Sequence, residues 1–96
     1  MIDRVIARAK DGAGYTTLAD RDAAFHQRLA DFAPAVRDLL AKVAKHAWRV
    51  TDEDVAAAKA AGITEEQLFE LIVCATLGQA KRQYDGAMHD VEEAFR

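Results

Sequence analysis

Residues 57–72 read AAKAAGITEEQLFELI, and the fold turns on how they are read. Alanine is the best helix former, so AAKAA prolongs a helix, and Gly62 offers the left-handed position at which a helix ends. Thr64 followed by Gln67 is a capping box, and Ile63 and Leu68 occupy the places of a hydrophobic staple. Leu68, Leu71 and Ile72 then recur at helical spacing. The stretch encodes two helices joined by a tight turn, an αα-hairpin.

The same punctuation extends upstream. Thr51 followed by Asp54 is a near capping box, and the acids of TDED suit the positive end of a helix dipole. Pro34 sits well in the first turn of a helix that starts after Asp31 or Ala33. There Val36, Leu39, Leu40, Val43, Ala44, Ala47 and Trp48 form one apolar stripe, with Trp48 as its expected core anchor. An earlier helix is expected from Thr17 or Asp20, carrying Ala24, Phe25, Leu29 and Phe32 inward. DGAGYTT separates it from a short first helix over residues 2–10, built on Ile2, Val5, Ile6 and Ala9. The last helix, from Thr64, is expected to run almost to Phe95, kinked near Gly78. No segment alternates with the period of a strand. The expectation is an all-α, small five-helix domain with αα-hairpins, a single unit over residues 1–96.

Composition narrows the function classes. Thirteen basic against sixteen acidic residues leave a net charge of −3, which gives no general attraction to nucleic acid or anionic lipid. One cysteine forms no intrachain disulfide and suits a reducing, cytoplasmic setting. MIDRVIARAK has no signal-peptide apolar run, and the apolar stretch Leu71–Leu77 is too short to span a bilayer. A chain this short buries roughly 60–65% of its unfolded surface, which leaves a thin stability margin. Yet Leu68, Phe69, Leu71, Ile72, Val73, Cys74, Ala75 and Leu77 make the last helix apolar on nearly every face. Such a helix must be covered all round, and a neighbouring subunit is the economical cover.

The hairpin has the spacing of a helix-turn-helix, with Ala58, Gly62 and Leu68 at the small, turn and core positions. A recognition helix sets its first side chains against phosphates and base edges, whereas this one opens with Glu65 and Glu66, adds Glu70, and reaches no base until Lys81. Phosphate contacts supply much of the affinity, so DNA binding is disfavoured.

Extended to GITEEQLFELIVCATLGQAKRQYDGAM, the stretch resembles the carboxymuconolactone decarboxylase and alkylhydroperoxidase D-like superfamily. That superfamily has an alanine-rich helix ending in glycine, then Leu/Ile/Val-Thr-x-Glu-Glu-Ile/Leu, an apolar helix and a final helix. The match covers about residues 55–94 and is of moderate specificity. The resemblance implies an alkylhydroperoxidase D-like fold assembled as a homotrimer or hexamer, with sites near subunit contacts. Redox members carry Cys-x-x-Cys-x-x-x-His, and those places fall on Ala47, Val50 and Asp54 here. No glutamate precedes Glu53 to support such a site. Without paired thiols there is no dithiol–disulfide cycle. The decarboxylase branch uses imidazole and carboxylate groups instead; its histidine falls on Asp54 and an asparagine of its last helix on Asp85.

The reactive side chains admit two uses each. Asp85 and His89 stand one helical turn apart, as an acid–base pair or as solvated neighbours; no third ligand marks a metal site, and no cofactor is expected. Cys74 lies mid-run and reads as a buried thiol rather than a nucleophile. Lys81, Arg82 and Tyr84 form either a small-anion patch or a wet helix face, while His26 and His46 carry no catalytic mark. Two function classes follow. One is a non-redox, homo-oligomeric binding or structural member of the superfamily. The other is a cofactor-free lyase or isomerase acting on a small organic acid, with Asp54, Asp85 and His89 as its catalytic candidates and their carboxyl pKa values raised by burial.

Overall fold

A computed structural model describes residues 14–95 together with Arg4, Ile6, Ala7 and Ala9. The expected first helix over residues 2–10 lies mostly outside the described residues; the four described there are helical. The helices with defined bounds are α1 (Leu18–Phe25), α2 (Pro34–His46), α3 (Asp52–Ala60) and α4 (Glu65–Ala94), with a 3₁₀ turn at Ala47–Arg49. The described residues contain no strand, so the fold is all-α. Four bounded helices stand where five were expected.

Each start has a local cause. The Thr17 hydroxyl accepts from the Asp20 N–H at the head of α1. Pro34 takes the first turn of α2 behind Ala33. α3 and α4 both open with complete capping boxes, Thr51 with Asp54 and Thr64 with Gln67. The turn between them uses Gly62 at φ 106°, the left-handed conformation a glycine adopts at least cost.

α4 is the axis of the molecule. α1 and α2 lie against it, and α3 lies mainly against α2. The core joins Ala24, Phe25 and Leu29, the α2 stripe from Val36 to Val43, Ala58 of α3, and Leu68, Leu71, Cys74 and Ala75 of α4. Gly78 continues α4 without interruption and brings it into backbone contact with α1, because a Cβ there would lie 2.0 Å from the Phe25 carbonyl oxygen. Arg82, one turn on, donates to that same carbonyl at 2.8 Å. The end of α1 is thereby satisfied by a side chain of α4.

Two expectations are corrected. α1 stops at Phe25, so Leu29 and Phe32 reach the core from a loop rather than from a helix face. The stop is a Schellman arrangement, in which the Arg28 N–H donates to the Ala23 carbonyl and the Gln27 N–H to that of Ala24, with Gln27 at φ 58°. Trp48 is no core anchor, being 75% exposed. α2 gives way to a 3₁₀ turn at Ala47, and its tighter winding carries Trp48 off the stripe onto the edge of the His46 ring, 5.0 Å between centroids.

Gln27 holds a left-handed conformation that costs an L-residue roughly 1–2 kcal/mol. Glycine removes that cost, and its looser unfolded chain returns about half of it. Gln27→Gly is therefore expected to raise stability by about 0.5–1 kcal/mol, read as a higher urea midpoint at constant slope. A lower midpoint would mean that the Gln27 side-chain bond to the Ala24 carbonyl, 3.1 Å, outweighs the backbone strain.

Candidate functional site

The three catalytic candidates of the sequence stand on two different parts of the fold. Asp54 lies at the start of α3. Its Oδ2 accepts from Lys42 Nζ of α2 at 2.8 Å and from the Thr51 N–H at 3.0 Å. These bonds, the Lys42 side chain first, hold its carboxyl below the ordinary value rather than above it. Asp85 and His89 lie on the distal half of α4, where every described residue from Arg82 onward is exposed. Lys81 Nζ donates to both Asp85 carboxylate oxygens at 2.9 Å. Among the described residues no hydrogen bond joins Asp85 to His89, and none of the clefts described below is lined by Asp54, Asp85 or His89.

The other singled-out side chains are also engaged in the fold. Cys74 is 1% exposed, with its Sγ 3.8 Å from the Ala9 carbonyl oxygen. Arg82 caps α1 and also donates to Gln79 Oε1 at 3.2 Å. His46 is exposed, while the exposed His26 meets the Phe25 ring edge-on at 4.9 Å and lies 3.5 Å from Asp22. No three His, Cys, Asp or Glu side chains among the described residues are grouped as metal ligands would be. No helix among them is long and apolar enough to cross a membrane.

A cluster the sequence did not announce centres on Glu70. Its carboxylate accepts from the Tyr15 N–H, from the Thr16 N–H at 2.9 Å and from the Thr16 hydroxyl at 2.7 Å. Arg21, 5% exposed, lies in the same region and donates to the Ala9 and Thr16 carbonyls at 3.3 and 3.4 Å. Partial burial acts to raise the Glu70 pKa, but the three hydrogen bonds and the Arg21 charge outweigh it and leave the carboxyl below its ordinary range. Glu70 thus ties the segment before α1 to the first turns of α4. In the sequence it is one of three acids near the start of a helix, and nothing local separates it from Glu65 and Glu66.

The Glu70 pKa shift fixes the sign of a pH effect. A carboxyl depressed in the folded state adds stability above its unfolded value, near 4.5, and that contribution is lost as pH falls through the folded value. Asp54, depressed from 3.8 by Lys42 and Thr51, acts in the same direction. Stability should therefore fall on acidification below about pH 5. Glu70→Gln should cost about 1 kcal/mol at neutral pH and flatten the acid limb of stability against pH. An acid limb identical in Glu70→Gln and the parent would show that Glu70 carries none of it.

The described residues line several clefts, among them the three that follow. One of about 340 Å³ opens between the start of α1, the 31–33 turn and the hairpin loop, lined by Tyr15, Asp20, Asp31, Phe32, Gln67 and neighbours. Its size suits a small ligand, yet its lining has two carboxylates and no basic side chain to pair with an organic acid. A second, about 520 Å³ and shallow, lies among Tyr15, Phe69 and Glu65, Glu66 and Glu70. A third, about 260 Å³, lies between Trp48 and the α4 side chains Thr76, Gln79 and Gln83.

The exposed apolar surface is more ordered than the clefts. Tyr84, Met88, Val91 and Phe95 are 51%, 43%, 49% and 87% exposed; the first three share one face of α4, and Phe95 continues their spacing as its C-cap residue. Compared with protein-family models, with curated proteins and with solved structures, the chain matches none.

Proposed function

We propose that this chain is a non-redox, carboxymuconolactone decarboxylase-like helical protein that acts by binding, as a homo-oligomer, rather than by chemistry of its own. The observation that carries this reading is the apolar face at the distal end of α4, Tyr84, Met88, Val91 and Phe95, each at least 43% exposed. Apolar side chains aligned over three turns of a protruding helix mark an interaction surface more than they serve a monomer. The radius of gyration agrees, at 14.5 Å against about 12.5 Å for a compact chain of this length.

The superfamily reading draws its support from the residues of the α3–α4 hairpin, in which Gly62 has φ 106° and Thr64 caps α4. An acid–base role for Asp54, Asp85 and His89 has less support. Asp54 serves a helix cap and Lys42, Asp85 serves Lys81, and the two carboxylates belong to separate surroundings. Light scattering coupled to size exclusion is the test. The expected result is a mass that is a multiple of the 10.5 kDa chain. A monomer at tens of micromolar would remove the reading.

A further inference from the structure

The distal face of α4 has the spacing of a helix-pairing seam. Leu77, Lys81, Tyr84, Met88, Val91 and Phe95 follow one another at intervals of four, three, four, three and four residues. That is the a/d repeat by which two helices interdigitate, with a charged residue at one seam position. At 3.6 residues per turn the seam lies about a third of a turn around α4 from the side where Leu68, Leu71 and Cys74 enter the core. The body of the protein therefore leaves the seam open from Tyr84 onward, while Leu77 packs against the edge of the core.

We infer that this seam pairs with the same seam of a second copy, running antiparallel, so that two distal helices form one short two-stranded coil. The inference rests on the homo-oligomeric reading above and specifies its contact. Charge sets the direction. The proximal end of the segment is net basic, with Lys81 and Arg82 against Asp85, and the distal end is net acidic, with Asp90, Glu92 and Glu93 against Arg96. An antiparallel pair lays each basic end beside the other copy's acidic end. A parallel pair stacks like charge on like charge at both ends. Ala80, Ala87 and Ala94 recur every seventh residue along one flank of the seam, and side chains this small let the helices approach closely.

The area is sufficient for a real contact. With full side-chain surfaces of about 150–250 Å², the four exposed residues offer about 450 Å² per copy. Two copies with their alanine flanks and charged stems bury about 1,000–1,200 Å², where specific interfaces begin. The pairing joins copies two at a time and sets the two bodies at opposite ends of the coil. Its assemblies are even-numbered, a dimer or a hexamer made of three such pairs.

The test uses the full chain with three single substitutions on the exposed half of α4. Val91→Glu should keep the helical circular dichroism of the parent and weaken self-association at least tenfold in sedimentation equilibrium. Met88→Cys lies near the centre of the antiparallel overlap, so a short bifunctional maleimide should link two copies through it. Phe95→Cys places its two thiols at opposite ends of the coil, and the same reagent should leave it unlinked. The parent, with only the buried Cys74, is the control. Efficient linking through Phe95→Cys would show a parallel pair and overturn the proposal. So would an oligomer untouched by Val91→Glu, or an odd-numbered one, with the homo-oligomeric reading still standing in each case. A monomeric parent would overturn both.

Discussion

Gly78→Ala is expected to lower stability by about 2–4 kcal/mol, although alanine is the better helix former by about 1 kcal/mol. The added Cβ would lie 2.0 Å from the Phe25 carbonyl oxygen and 2.8 Å from its carbon. The obstacle is backbone, so no side-chain rotation relieves it. α1 must move off α4, which strains the Arg82 bond to the same carbonyl. For a domain of this size the thermal midpoint should fall by about 10–25 °C. Gly86, also in α4, is the matched control, since nothing stands within 4 Å of its would-be Cβ. Gly86→Ala should raise stability by about 0.5–1 kcal/mol. Thermal denaturation followed by circular dichroism checks both, and opposite signs are the expected outcome. Equal and positive effects would mean that α1 and α4 do not touch at Gly78.

Leu40→Ala should cost about 2–5 kcal/mol, the other large effect. Leu40 is fully buried, in the stripe that α2 turns toward the core. The core cluster to which it belongs draws side chains from all four bounded helices, so collapse into the cavity is expected to be incomplete and both transfer and cavity terms apply. Against a total stability of about 5–15 kcal/mol, this is enough to leave the variant partly unfolded near body temperature. Leu18→Ala, at a residue 54% exposed, should stay within about 0.5 kcal/mol of the parent. Urea titration separates the two, and a Leu40→Ala midpoint equal to that of Leu18→Ala would contradict the packing described.

Where the deciding chemistry was local, the sequence was legible. Both capping boxes, Pro34 in the first turn of α2, Gly62 as a helix stop and the α2 stripe from Val36 to Ala44 stand in the structure as the residues predict. Each depends on side chains within about one turn of one another. The end of α1 was not legible, because Gln27 occupies a left-handed position that usually announces itself as glycine. Trp48 misled for a related reason. Its spacing continues the stripe only if the α-helix continues, and the chain tightens into a 3₁₀ turn two residues earlier than that reading needs.

The candidate site was legible in residue types and not in partners. The sequence singles out Asp54 but does not say that Lys42, twelve residues away, takes its carboxylate. It places Asp85 one turn from both Lys81 and His89, and the ammonium wins, as expected of a full charge against an imidazole. The Glu70 cluster spans more than fifty positions and has no local signature.

By itself the sequence determined an all-α chain, its helix starts and the inward face of α2, because capping and amphipathic periodicity act over a few residues. It also contained the four-three repeat of distal α4, but only as a set of apolar residues. Tertiary structure decided which of them are bare. The core closes over Leu68, Leu71, Cys74 and Ala75, Gly78 lets α1 end against α4, and from Arg82 onward every described residue of the last helix is exposed. Burial depends on where other helices stop, and that is settled by backbone contact between segments far apart in the chain.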